Sequence, residues 1–352
     1  MGAVTAPIDL ACVIHCHSTF SDGTGTVPEI AAAGARAGAD AVLLTDHDSL
    51  EAKRRGHERW HGRVLMCVGE EVSPRGGNHY LAFGLDEEVR HTGLTSGQIV
   101  SAVAEAGGFG FLAHPFSRGS ERFRRGGIPW DDLDCGGYTG IELWSFVTDG
   151  AEAVETVADL VRFIASPERI VDGPPTRNLE RWDDLLSRRP VVAIGGVDAH
   201  QLGLRVAGRV PLRLMAYHRS FRRLRTHVLL DRPPRGDAGR DRDALYAALR
   251  AGRCYLAMDS LADARGFAFW GQLGAARVQM GAEAQAHGAR LRVRTPVPAA
   301  LTLLRDGEPI ARVHGDRMDH DVERAGVHRV EAALHRHGRL RRWIVSNPLY
   351  LR

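Results

Sequence analysis

Lysine is almost absent from this chain: Lys53 is the only one, and arginine supplies nearly all of the 46 basic side chains. Set against 43 acidic residues, these leave a net charge of +3, too mild a balance to argue for a nucleic-acid partner. Arginine is the better bidentate partner for phosphate and carboxylate, but codon bias produces the same preference, so it identifies no ligand by itself. Cysteine is also scarce. Cys12, Cys16, Cys67, Cys135 and Cys254 are odd in number, scattered and never in a C-x-x-C pair, which argues against a disulfide framework and for free thiols in a reducing compartment. No apolar run is long enough to span a membrane. The N-terminus lacks a basic start followed by a long apolar stretch, and its first strand already carries His15, so no cleaved signal peptide is expected and the expected location is the cytoplasm. Internal repeats and low-complexity segments are missing as well. What remains, 44% hydrophobic and 25% charged residues in a chain of 352, is ordinary globular composition with room for one large α/β domain and a smaller one.

Histidine is plentiful, 17 in all. The stretch that organises the rest is Val13-Ile14-His15-Cys16-His17-Ser18-Thr19-Phe20-Ser21-Asp22-Gly23. Alternate side chains of a strand share a face, so His15 and His17 are expected to point together from a strand end, with Asp22 returning from the loop beyond. That is a metal-ligand geometry, although a pair of histidines alone is equally compatible with a buried or surface pair.

Downstream, strands alternate with helices. Val27 to Gly38 reads as a helix with Pro28 in its first turn and a glycine stop. Ala41 to Thr45 is a buried-type strand ending in Asp46-His47-Asp48. A charged helix is expected from about Ser49 to Trp60, and then a strand, Val64 to Val68, ending in Gly69-Glu70-Glu71. Asn78 to Gly84 is a strand that opens with His79, and the turn residues Gly76-Gly77-Asn78 should bring it back beside Glu71. A helix from about Thr95 to Gly107 leads to Phe109 to Ala113 and His114-Pro115. Strand Gly140 to Trp144, helices near 151–165 and 179–188, and strand Val191 to Ile194 follow, the last ending in Asp198-Ala199-His200. Most of these apolar strands finish in a histidine or a carboxylate. In (β/α) barrels the reactive groups gather at the C-terminal strand ends, so one site fed by many strands is expected.

Residues 217–243 read as a solvated, arginine-rich loop with Pro233-Pro234, since acids interleave the arginines after Asp231. A helix from Asp243 to Gly252 follows. From about Gly266 short strands take over, among them Arg290 to Arg294, Leu301 to Arg305 and His328 to Ala332, separated by turns such as Asp306-Gly307; they predict a small β-sandwich.

Taken together, His15-x-His17, Asp22, His47, Glu71, His79, His114, Asp198 and His200 follow the order HxH…SDG…TDHD…GEE…H…AHP…DAH. This order resembles the PHP superfamily, named for polymerase and histidinol phosphatase, over about the first 260 residues. The segment Arg341 to Tyr350, with Ala264-Arg265-Gly266-Phe267, is similar to the β-domain of the carbaryl-hydrolase-like (CehA-type) subgroup. The resemblance implies a distorted (β/α)7 barrel over residues 1–262 and a C-terminal β-sandwich over 263–352. It also implies two to three divalent ions: His15, His17, Glu71 and Asp198 for the first, Glu71 bridging to a second held by His79 and His114, and Asp22, His47 and His200 for the third. Such mixed histidine and carboxylate sets suit Zn²⁺, Mn²⁺ or Fe.

Bland roles are expected for the neighbours. Glu70 reads as a surface or supporting carboxylate, Asp46 and Asp48 as turn formers or groups that orient an imidazole, and Cys16 as a packed thiol. Glu142 is either structural or in contact with the site. His218, His227, His314, His320, His335 and His337 read as solvated. The leading functional expectation is a metal-dependent phosphoesterase acting on a small phosphate ester or nucleotide through a metal-bridging hydroxide. Asp22 or His200 would protonate the leaving oxygen, and Arg118, Arg122 or Arg124 would bind phosphate at the barrel mouth. Two alternatives stay open: hydrolysis of a carbamate or carboxylic ester on the same metals, as the CehA-type resemblance implies, and a non-catalytic, metal-stabilised scaffold whose β-domain binds a partner.

Overall fold

The turn chemistry of the N-terminal half acts locally. Thr95, for example, opens a helix because its backbone N–H donates to Gln98 Oε1 at 2.9 Å while Gln98 N–H donates back to Thr95 Oγ1. The computed structural model describes residues 7–123, 125–166, 170–201 and 215–352. Its elements are β1 (Ile8–Ile14), α1 (Val27–Ala37), β2 (Ala41–His47), α2 (Glu51–Arg54), β3 (Trp60–His61), β4 (Val64–Val72), β5 (Tyr80–Phe83), α3 (Ser96–Glu105), β6 (Phe109–Leu112), β7 (Gly119–Ser120), β8 (Arg125–Gly126) and β9 (Gly140–Ser145). They continue as α4 (Phe146–Glu152), α5 (Val157–Ala165), α6 (Thr176–Arg188), β10 (Val192–Gly196), α7 (Tyr217–Ser220), β11 (Leu224–Leu230), α8 (Ala238–Arg250) and β12 (Cys254–Met258). The C-terminal part holds β13 (Ala268–Leu273), β14 (Ala276–Gln279), β15 (Glu283–Ala284), β16 (Ala289–Arg305), β17 (Glu308–Asp321), β18 (Gly326–Arg336), β19 (Arg339–Ser346) and β20 (Leu349–Leu351). The fold is mixed α/β.

Pairing runs β1–β2–β4 in parallel, then antiparallel through β5 to β6, then parallel through β9 to β10. Just past β10 the chain returns to β1: Val197 N–H donates to Ile14 O at 2.9 Å, and His17 N–H donates to Ala199 O at 3.0 Å. Because β5 runs opposite to its neighbours, its start lies where the other strands end, which is why His79 joins ligands at or just past the ends of β1, β2, β4, β6 and β10. Alternate residues of these strands, among them Leu10, Cys12, Ile14, Leu43, Cys67, Leu81, Phe111 and Ile194, form one apolar cluster together with Leu245 and Leu249 of α8. The other strand face packs against α1, α3 and α6 in a second cluster that continues without a break to Leu351.

Four expectations are corrected. The arginine-rich stretch after Tyr217 is not a loop throughout: β11 lies within it, fully buried and antiparallel to both β1 and β12. His227, read as solvated, is buried there, with Nδ1 2.8 Å from Asp9 and its ring stacked on Tyr255 at 4.6 Å. The helix expected from Ser49 to Trp60 is one turn, α2, followed by β3. Arg290 to Arg294 and Leu301 to Arg305 belong to one 17-residue strand, β16, whose register with β17 shifts between Arg294 and Ala299 around the two prolines.

The C-terminal strands are tied to the rest by backbone pairing, since β12 pairs with β19. Asn347 extends the tie by exchanging hydrogen bonds with the backbone N–H and C=O of Ala193 in β10. Among the described residues no helix is long and apolar enough to cross a membrane.

Candidate metal centre

The ligand-bearing positions depart from regular strand geometry. β1 ends at Ile14, and Val13 packs on the helix-facing side, so plain alternation would send His15 to that side too. Instead His15 takes φ +66°, and His114 and Asp198 likewise adopt left-handed backbone at +31° and +53°. Non-glycine residues rarely do this outside turns and functional sites. The kink, rather than strand alternation, turns His15 inward, where its ring lies 5.2 Å from that of His17.

The loop after His17 is held by Asp46, which is buried rather than solvent-facing. Its carboxylate accepts from Ser18 N–H at 2.6 Å, Ser18 Oγ at 2.7 Å and Ser21 Oγ at 2.6 Å. The turn closes because residue 23 is glycine: a Cβ there would lie 2.2 Å from His17 O. Tyr217 Oη pins the same turn, donating toward His17 O at 2.7 Å and lying 2.9 Å from His200 O.

The nine expected ligands converge in overlapping groups: His15, His17 and Glu71; His15, His114 and Asp198; His47, Glu71 and His79; and His17, Asp22, His47 and His200. Glu71 lies at the centre. Its Oε1 faces His79 Nδ1 at 2.9 Å and His114 Nε2 at 3.3 Å, while Oε2 faces His15 Nε2 at 3.2 Å, His17 Nε2 at 3.3 Å and His47 Nδ1 at 3.2 Å. Asp198 Oδ1 lies 3.4 Å from His15 and 3.5 Å from His17, and Asp198 Oδ2 accepts from Thr148 Oγ1 at 2.9 Å. Asp22 is the most exposed member, 58% accessible, and its Oδ1 is 3.1 Å from His200 Nε2.

The charge balance suits cations. Burial pushes the Glu71 carboxyl up, but the surrounding imidazoles, His15 foremost, reverse this and hold it well below the usual carboxylate range; Asp198 behaves likewise. Burial, with the charge of His200, drops His17 to about 4, so its ring is neutral at pH 7, and neither nitrogen has a hydrogen-bond partner although the side chain is fully buried. Neutral, unpartnered imidazole nitrogens beside ionised carboxylates are the donor set a divalent cation requires.

One neighbour departs from its surface reading and the others take expected places. Glu70 is buried, not at the surface, and accepts from Val89 N–H at 2.8 Å on the face away from the cluster. Asp48 accepts from Ser73 N–H at 2.8 Å and pairs with His91 at 3.1 Å, and the Ser73 hydroxyl lies 2.6 Å from His47 Nδ1. Cys16 is a packed thiol, as expected. Glu142 touches the site: its Oε1 is 2.9 Å from His15 Nδ1 and its Oε2 accepts from His114 N–H at 2.7 Å. Its place near the end of a strand was the signal available in sequence. Thr148 and Tyr217 carried none, because each acts through one hydroxyl delivered by tertiary packing. Arg118 and Arg122 are exposed on the loop after His114, with no ion pair to the cluster, and Arg124 lies outside the described residues.

No family model matches the chain, and no curated protein does. Among solved structures it is similar to a two-domain protein containing a predicted PHP-like metal-dependent phosphoesterase from Bacteroides vulgatus ATCC 8482, at 15% identity over 98% of this chain and 97% of that one, with a TM-score of 0.46. It is also similar to a putative metal-dependent phosphoesterase from Bifidobacterium adolescentis ATCC 15703, at 17% identity over 59% of this chain and 93% of that one, with a TM-score of 0.34. A third is an amidohydrolase from Chromobacterium violaceum, at 16% identity over 54% and 87%, with a TM-score of 0.31.

Proposed function

We propose that the chain is a metal-dependent phosphoesterase of PHP type acting on a small phosphate ester or nucleotide, its first seven long strands forming a distorted barrel around two or three divalent ions. One observation carries the reading: the two oxygens of Glu71 face different histidine sets, His79 with His114 on one side and His15, His17 and His47 on the other. A carboxylate shared in this way suits a bridge between two ions. When bound, Zn²⁺, Mn²⁺ or Fe²⁺ would supply an activated water and would neutralise phosphoryl charge.

The chain's own residues divide the remaining work. His15, His17, Glu71 and Asp198 would hold one ion, Glu71, His79 and His114 a second, and Asp22, His47 and His200 a third. Asp22 and His200, 3.1 Å apart on the open side of the cluster, can pass a proton to a departing alkoxide only while the third position holds no ion. Arg118 and Arg122 can take non-bridging phosphoryl oxygens through bidentate guanidinium contacts. Burial of the His15, His17, Glu71 and His114 side chains keeps bulk water from the inner face.

The test is a substrate panel. Protein reconstituted separately with Mn²⁺, Zn²⁺ and Fe²⁺ is assayed on nitrophenyl phosphate, nucleotides, short oligonucleotides and an aryl carbamate, beside His15→Ala. Phosphate release abolished by the substitution is expected. Release that survives it would overturn the reading, carbamate turnover alone would replace it with ester or carbamate hydrolysis, and silence throughout would favour a scaffold.

A further inference from the structure

Glu142 sits in β9 with both carboxylate oxygens committed to elements that carry ligands. The side chain is buried, and among the described residues its ion-pair partner is His15 alone. A carboxylate withdrawn from water is costly unless its lone pairs are filled. Here one oxygen meets His15 Nδ1 at 2.9 Å and the other accepts the backbone N–H of His114 at 2.7 Å. Both histidines have positive φ, a backbone state that surrounding contacts must maintain. The space for Glu142 is also built in: β10 shifts register between Ile194 and Gly195, and a Cβ on Gly196 would lie 1.8 Å from Glu142 Oε1.

The consequence for His15, once an ion takes the place of its second proton, would be a fixed tautomer. With Nδ1–H donated to Glu142, Nε2, which lies 3.2 Å from Glu71 Oε2 and 3.4 Å from Asp198 Oδ1, would be left to bind the ion between them. The His114 hydrogen bond meanwhile holds the turn that aims His114 Nε2 at Glu71 Oε1, on the opposite side of the bridge. We infer that Glu142 is a positioning residue that clamps His15 and His114, ligands of two different ions, so that its loss weakens both ions together. This rests on the metal-centre reading and needs nothing about the substrate.

The test titrates chelator-stripped protein with Zn²⁺ against a chromophoric competitor. Glu142→Gln cannot accept from both donors, because its amide presents one acceptor and one donor group; a loss of roughly 10- to 100-fold in affinity is expected at both tight sites. Thr148→Val, which removes a hydrogen bond to Asp198 alone, is expected to weaken one. Wild-type affinity in Glu142→Gln, or a loss confined to one ion, would overturn the inference. A second measurement needs no substitution: in zinc-loaded wild-type protein, long-range ¹H–¹⁵N spectra are expected to place the His15 proton on Nδ1, and a proton on Nε2 would overturn it. Wild-type protein that takes up no zinc removes the metal-centre reading and the inference with it, whereas normal uptake with an indifferent Glu142→Gln removes the inference alone.

Discussion

His200 Nε2 lies 3.1 Å from Asp22 Oδ1, and each group shifts the other's titration. Burial opposes charge on both, yet the pairing holds Asp22 at about 2 and raises His200 to about 9. A metal ligand must be neutral imidazole, so at pH 8, below the His200 value, coordination has to expel its proton. Zinc binding to stripped protein at pH 8 is therefore predicted to release at least about one proton per chain. Calorimetry in buffers of different ionisation enthalpy reads this directly. Asp22→Asn should reduce the release, and heats independent of buffer would contradict the assignment of His200.

Tyr217 is predicted to matter through its hydroxyl alone. That group bridges the carbonyls of His17 and His200 while accepting from Gly25 N–H at 3.3 Å. Tyr217→Phe keeps the ring and leaves buried carbonyls underbonded, at a cost of about 1–3 kcal/mol. Urea unfolding should show that loss, together with weaker zinc binding. Unchanged stability would mean that the turn is held elsewhere.

A second histidine, remote from the cluster, sets a pH dependence. Burial lowers the His227 pKa, but Asp259 and Asp9 outweigh it and push the group up to about 9. Raised above its unfolded value near 6.5, it contributes stability that is full below about pH 6.5 and fades as pH rises through 9. The loss should reach on the order of 3 kcal/mol, read as a falling urea midpoint between pH 6.5 and 9.5. His227→Gln should flatten that slope; a slope unaltered by the substitution would sink the assignment.

Glu70 gives a slope of the same sign in a lower pH window, because burial favours its neutral, protonated form. Burial pushes its carboxyl up to about 7, and its Oε2 has no hydrogen-bond partner. The folded protein thus holds that proton more tightly than the unfolded chain, and stability declines from about pH 4.5 to 7 before levelling off. Glu70→Gln keeps an acceptor for Val89 N–H and removes the penalty, so at pH 8 it should stabilise by about 1–3 kcal/mol. A destabilised variant at pH 8 would show that the ionised carboxylate has a favourable partner.

The ligand histidines and carboxylates were legible because each follows or opens a short apolar strand, a local pattern. The left-handed turns at His15, His114 and Asp198 that aim them were not, since φ at a histidine or aspartate leaves no mark in composition. β11 was hidden for a related reason. Arg225 and His227 read as solvated, but their compensating charges, Asp259 and Asp9, are remote in sequence, and Arg225 meets Asp259 at 3.1 Å only once the sheet has formed. Arg290 to Arg294 and Leu301 to Arg305 likewise read as two strands, whereas β16 runs on through Thr295-Pro296-Val297-Pro298 with a register shift.

The central claim is that Glu71 and the histidines around it hold more than one divalent ion. Elemental analysis of protein purified without chelator, then reconstituted with Mn²⁺, Zn²⁺ or Fe²⁺ and desalted, tests it most directly. Two or three ions per chain are predicted, falling sharply in Glu71→Gln, whose amide cannot serve both histidine sets. Fewer than two ions per chain in the wild type, or an undiminished count in Glu71→Gln, would contradict it.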